Sequence, residues 1–159
     1  AHREYLADLL NGFCSQTYLS VQNELIDFKT QYSTIPDSFL NLGPYGGILS
    51  AFKKDPNSAW LVVATDLPFL DLSTLNDLIK GRDKSKIATC FHNPETAFPE
   101  PLLTLWEPRA YSILLQFLAY GYSCPRKVLI NSDIKELRIK NTNALCNVNT
   151  PEELKVVKG

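Results

Sequence analysis

The chain has 159 residues, 45% of them apolar and 21% charged, with a net charge of −1. That length and composition fit one globular domain with a real core, and exclude a disordered or fibrous chain. The near-neutral charge supplies no bulk field for nucleic acid or an anionic membrane, and no apolar run approaches the roughly 20 residues of a membrane span. Cys14, Cys90, Cys124 and Cys146 show no C-x-x-C spacing. Free thiols, no zinc site and a cytoplasmic location are therefore expected. No secretory signal pattern opens the chain. There is no methionine, and a helical pattern starts at once in HREYLADLLNGF, so the natural protein is expected to begin earlier.

Tyr5, Leu6, Leu9 and Leu10 recur at helical spacing, with Asn11-Gly12 as the stop. Thr17–Val21 predicts a short strand, Glu24–Gln31 a helix and Ser33–Ile35 a second extended piece before Pro36. A loop is expected over Asp37–Tyr45 and a short helix over Gly47–Phe52. Trp60–Thr65 follows as WLVVAT, a continuous apolar run that reads as a strand buried on both faces. Ser73 is placed to cap a helix running to Lys80 with Gly81 as its stop. Lys86–Phe91 predicts a strand, His92–Pro99 a loop and Leu102–Trp106 another strand. A helix is expected from Pro108 to Tyr120, then a helix over Ser123–Asn131, a strand over Ile134–Ile139 and a helix over Thr150–Lys158.

Strands alternate with helices, which predicts an α/β layer architecture on a mostly parallel sheet. Ligands of such sheets sit beyond the carboxyl ends of the strands, and Asp66 lies at one of those ends. Asp66 either caps the turn out of its strand, with Pro68 fixing the exit, or holds a cation. A lone carboxylate suits Mg²⁺, which keeps several waters and takes one or two protein oxygens plus phosphates. Leu42–Ile48 reads LGPYGGI. Its glycines allow close approach of backbone N–H groups to a ligand ahead of a helix N-terminus, or form an ordinary turn.

Asn147–Glu153 reads NVNTPEE, where Thr150, Pro151 and Glu153 make a capping box. Alternation puts Asn147 and Asn149 on one side of an extended segment, able to hold a polar ligand or to bond local backbone. In FPEPLL, prolines bracket Glu100, as a rigid turn or as an acid aimed at the cleft. Arg126 and Lys127 are a solvated helix face or phosphate contacts. His2 and His92 have no partner at ligand spacing.

GPYGGI, WLVVATDLPFLD, PEPLLTLW with its following helix, and NVNTPEE occur in that order. In this order and at these spacings they resemble the molybdenum cofactor guanylyltransferase family, the nucleotidyltransferases that build the molybdopterin guanine dinucleotide cofactor. The resemblance runs from about Tyr5 to Leu154. It implies a three-layer α/β/α Rossmann-like nucleotidyltransferase fold in a single domain over residues 1–159. It also implies binding of GTP and Mg²⁺, transfer of GMP to the terminal phosphate of molybdopterin, and release of pyrophosphate. Asp66 matches the family's Mg²⁺-binding acid, and Asp37 an acid that contacts the nucleotide. Gly43, Gly46 and Gly47 match the loop beside the nucleotide. Gln22 stands where the family usually has an Asn near the base. Asn147 and Asn149 match the N-x-N-T-P-E motif on the molybdopterin side, where Glu100 is also expected. The paired Asn favours guanylyl over the D-x-D-T-P-E of cytidylyl relatives. Other molybdenum cofactor biosynthesis proteins and molybdoenzyme acceptors are the further partners the resemblance implies.

The family opens with a strand and a loop resembling L-A-G-G-x-S-x-R-M-G-x-D-K, which wraps the triphosphate. No such stretch occurs in these residues, so the first strand and phosphate loop are expected to lie outside the sequence. Two alternatives remain at this stage: a cytidylyl or sugar-nucleotide transferase of the same fold, or a non-catalytic molybdopterin-binding module.

Overall fold

The computed structural model describes residues 2–21, 31–39 and 41–147. Gln22, Asn149 and most of the helices expected over 24–31 and 150–158 lie outside those residues. In chain order the elements are α1 (His2–Asn11), β1 (Tyr18–Val21), β2 (Ser33–Pro36), α2 (Pro44–Lys54), β3 (Trp60–Val63) and α3 (Leu72–Lys80). There follow β4 (Ala88–Asn93), β5 (Phe98–Trp106), α4 (Ala110–Ala119), α5 (Pro125–Ile130), β6 (Lys135–Arg138) and a 3₁₀ turn at Thr142–Leu145.

Two sheets form. β1 and β2 pair in parallel, and a second sheet has the order β3-β5-β4-β6. β5 is antiparallel to both β3 and β4, whereas β4 and β6 are parallel. β3, β4 and β6 therefore run one way and β5 alone runs back, so the larger sheet is mixed, with one antiparallel strand among three that share a direction. The physical reason is a hairpin: the His92–Pro99 segment, expected as a loop, extends β4 to Asn93 and starts β5 at Phe98.

Alternation along the strands builds a three-layer stack. Trp60, Val62, Ala88, Cys90 and Trp106 face a core made with Tyr45, Leu49 and Phe52 of α2, Leu114 of α4 and Leu129 of α5. Leu61, Val63, Phe91 and Leu103 face the opposite core with Leu6 of α1, Leu75 and Leu78 of α3, and Leu145. Side chains on both faces of one sheet explain why β3 to β5 read as near-continuous apolar runs.

β3 departs from its expected burial, because all four of its residues are only half-buried. Among the described residues it is the edge of its sheet, and its unpaired side borders an open cleft. α3 also starts differently. Its N-cap is Asp71, whose Oδ1 accepts the Thr74 amide at 2.8 Å, and Ser73 lies inside the helix.

Candidate functional site

The cleft has a volume of about 1690 Å³ and runs between β1 and β3. Every residue of both strands lines it. Among the described residues each of these strands is hydrogen-bonded along one edge only, β1 to β2 and β3 to β5. Tyr18 and Trp60, the first residues of the two strands, place their ring centroids 5.7 Å apart. Leu6 and Leu10 of α1 and Ile48 and Ala51 of α2 supply apolar wall.

Asp66 lies beyond the carboxyl end of β3. The backbone there is held by the Ala64 amide, which donates to the Leu102 carbonyl at 2.8 Å. Leu67 and Leu70, both buried, then pin the exit turn. Asp66 lines the cleft, and its Oδ1 is buried with no hydrogen-bond partner among the described residues. A turn-capping carboxylate would use its oxygens on nearby amides, as Asp71 does, and this oxygen does not. An unpaired buried carboxylate oxygen is costly to protein alone and suits a hard cation. No cluster of three or more His, Cys, Asp or Glu occurs among the described residues. A single carboxylate of this kind would suit a cation such as Mg²⁺, which takes one or two protein oxygens and completes its shell with water or phosphate oxygens.

The glycine loop opens α2, which begins at Pro44 rather than at Gly47 because proline suits the first helical turn. Its N-cap is Gly43, with a positive φ of 58° that glycine adopts freely. Gly46 packs against Asp37: a Cβ on Gly46 would lie 2.8 Å from both carboxylate oxygens and from the Phe39 carbonyl. A Cβ on Gly47 would meet the Ser20 hydroxyl at 3.0 Å. Tyr45, between the glycines, points into the core. It is fully buried, its hydroxyl donates to the Leu114 carbonyl, and burial pushes its pKa up to about 12.

Asp37 follows β2. Its Oδ1 accepts the Phe39 amide at 2.8 Å and lies 3.3 Å from the Ser50 hydroxyl, whereas Oδ2 accepts nothing among the described residues. Ser50 is buried, receives the Ser38 amide at 2.9 Å and donates to the Gly46 carbonyl at 2.7 Å. It locks the Asp37 segment onto α2. Nothing in the sequence alone singled out Ser50, although a serine four residues after a glycine in an apolar helix is the available signal.

The fold therefore brings Asp37, Gly43, Gly47 and Asp66 to one cleft, with Ser20 as an unexpected companion. Gly46 lies just behind it, against Asp37. Glu100 is elsewhere: it is 2% exposed, and its neighbours Pro101 and Leu102 line the cleft in its place. Asn147 is exposed and off the cleft wall, and Gln22 and Asn149 fall outside the described residues.

Residues 2–135 match the family described as the MobA-like NTP transferase domain. A Synechocystis protein named molybdenum cofactor biosynthesis bifunctional protein is 30% identical over 154 residues, covering 96% of this chain and 44% of that protein. A Trichormus variabilis protein named "probable molybdenum cofactor guanylyltransferase" is 28% identical, with 74% of this chain and 57% of that protein covered. The chain thus spans about half the length of these curated relatives. Among solved structures, molybdopterin-guanine dinucleotide biosynthesis protein A from Archaeoglobus fulgidus superposes with a TM-score of 0.79 at 21% identity. That match covers 98% of this chain and 83% of the other, and it shows a shared fold. An Aquifex aeolicus protein shares the fold at a TM-score of 0.74 and 14% identity, covering 92% of this chain and 78% of that one.

Proposed function

The chain belongs to the MobA-like NTP transferase domain family, and from that premise we propose that it is the nucleotide-binding part of a molybdenum cofactor guanylyltransferase. The proposed reaction transfers GMP from GTP to the terminal phosphate of molybdopterin, with Mg²⁺, and releases pyrophosphate. The observation that carries this reading is Asp66: a carboxylate at the end of a strand, in a large cleft, with a buried oxygen that no group among the described residues satisfies.

Each cleft residue has a role in the proposal. Asp66 holds Mg²⁺, which when bound supplies charge neutralisation to the triphosphate. The free Oδ2 of Asp37 accepts N–H donors of the nucleobase, and the Ser50 and Phe39 contacts keep that carboxylate oriented. Gly43 and Gly47 leave room for the nucleotide against the start of α2. An incoming phosphate oxygen is already anionic, so positioning suffices and no general base is assigned. Asn147 and Asn149 are assigned to the molybdopterin side.

The cleft is larger than the roughly 300–1,000 Å³ of ordinary ligand pockets. The proposal therefore includes one further parallel strand in the slot between β1 and β3, hydrogen-bonding to both free edges and leading into a phosphate loop. Two strand edges facing one apolar slot support this part of the reading.

The test is calorimetric titration with GTP, CTP and UTP, each with Mg²⁺, on the wild type and on Asp66→Ala. GTP binding that exceeds CTP and UTP and is lost in Asp66→Ala is expected. Equal or better binding of CTP would move the assignment to a cytidylyl enzyme. No binding of any nucleotide, even in a longer chain that includes the phosphate loop, would leave a non-catalytic docking module.

A further inference from the structure

Behind the cleft wall lies a charged cluster that the proposed nucleotide site does not use. Glu100 of β5 is buried, and both its oxygens are engaged. Oε2 accepts the Asn93 side-chain amide at 2.8 Å, and Oε1 accepts the Leu102 backbone amide at 3.1 Å. Its own carbonyl accepts the Thr104 hydroxyl at 2.9 Å. These bonds fix the carboxylate in place. They also lie beside the irregular pairing between Cys90 and His92 of β4, and such bulges re-aim side chains.

Arg126, in the first turn of α5, is the cation paired with it. The guanidinium approaches Glu100 Oε1 at 3.9 Å, close enough for an ion pair and too far for a hydrogen bond. Its Nε is buried without an acceptor, and no other hydrogen bond engages its donors among the described residues. The side chain is still 36% exposed. A buried counter-charge thus sets the position of a guanidinium whose Nε is closed off from solvent, and whose terminal nitrogens are left to face outward. That is the arrangement that receives a phosphate or carboxylate.

The location is informative. Pro101 follows Glu100 and Pro125 precedes Arg126, and both prolines line the cleft. Lys127, the neighbouring cation, sits 3.8 Å over the Tyr122 ring and is occupied there.

We propose that Arg126 is an anion-binding residue at the rim of the cleft, taking a phosphate monoester, and that Glu100 with Asn93 is its positioning pair. Naming that ester as the acceptor's phosphate rests on the guanylyl-transfer reading, whereas the anion site itself does not. The two carboxylate oxygens of Glu100 are spent inward, so the anion meets the outer side of the guanidinium. Glu100 then has no direct contact with substrate and acts through Arg126.

The Nε–Hε resonance of Arg126 in a nitrogen-15 spectrum reports the environment of the guanidinium. Phenyl phosphate is the probe, titrated at constant ionic strength against sodium chloride. A saturable shift of that resonance is expected. Arg126→Lys lacks that resonance and is read by the backbone-amide shifts of Lys127 and its neighbours; it should weaken binding about tenfold, and Glu100→Gln about threefold, with the folded amide spectrum retained. Arg126→Lys is half-exposed and serves as the decisive variant should Glu100→Gln fold poorly. The proposal is overturned if chloride reproduces the shift, if the resonance does not move, or if Arg126→Lys binds within twofold of wild type. Line broadening near Asp66 by Mn²⁺ with GTP, read on the same sample, tests the transfer reading separately.

Discussion

The α-carbon of Gly46 rests on the carboxylate of Asp37. Any Cβ there would stand 2.8 Å from both oxygens and from the Phe39 carbonyl. One of these three atoms belongs to backbone, so the contact cannot be relieved by a side-chain rotation alone. Gly46→Ala is expected to push the Asp37 segment away from α2 and to cost about 1–3 kcal/mol as an overpacked contact. Urea unfolding measures the loss, and nucleotide titration should show weaker binding as well. Unchanged stability would mean the loop yields freely.

Asp66 behaves in the opposite way. Its buried Oδ1 has no partner among the described residues, so removing it takes away an unsatisfied polar atom rather than a bond. Asp66→Ala should leave stability within about 1 kcal/mol of wild type or raise it. Affinity for GTP with Mg²⁺ should fall by at least about tenfold, as expected for loss of a metal ligand. A large stability loss together with intact binding would make Asp66 a structural turn residue.

Much of this was legible in the sequence. The runs at Trp60–Val63 and Leu103–Trp106 are strands because apolar residues face cores on both sides of the sheet. The positions of Asp37, Gly43, Gly47 and Asp66 could be named from motif order. What could not be read depended on distant partners. The reversal of β5 arises from a hairpin that Asn-Pro and Phe-Pro disguised as a loop. The inward turn of Glu100 depends on Asn93 and Arg126, seven and twenty-six residues away, and Ser50 matters only because Asp37 folds against it. The half-burial of β3 reflects its place at the edge of the sheet among the described residues, which no local pattern encodes.

Arg82 and Glu107 tie the end of α3 to the end of β5. The guanidinium donates twice, Nε to Oε2 at 2.8 Å and one terminal nitrogen to Oε1 at 2.7 Å. Glu107 is buried, and its hydrogen bonds hold the Arg82 pKa above its ordinary value. Arg82→Ala would strand a buried carboxylate, at a cost of about 3 kcal/mol. Arg82→Lys should recover only part of that, because an ammonium cannot reproduce the two-point fork. Chemical denaturation of both variants, compared with Glu107→Gln, checks the ordering.

Asp71 caps α3 through the Thr74 amide, and its Oδ2 receives the Asn141 side-chain amide at 3.2 Å. Burial works to raise its carboxyl pKa, but the bonds from Thr74 and Asn141 outweigh that and hold it below the ordinary range. A folded value below the unfolded one, about 3.9, has a definite sign. The stabilisation is fully present above about pH 4 and is lost as pH falls through the lowered folded value. Asp71→Ala should therefore cost about 1 kcal/mol at pH 7, with the difference from wild type shrinking in strongly acidic buffer. Asp71→Asn keeps a capping oxygen and should lose less, and its stability difference should show the same acid dependence. Ser73→Ala should be nearly neutral at either pH, since that side chain does not cap the helix. Thermal melts of the three variants across the acid range distinguish this cap from one centred on Ser73.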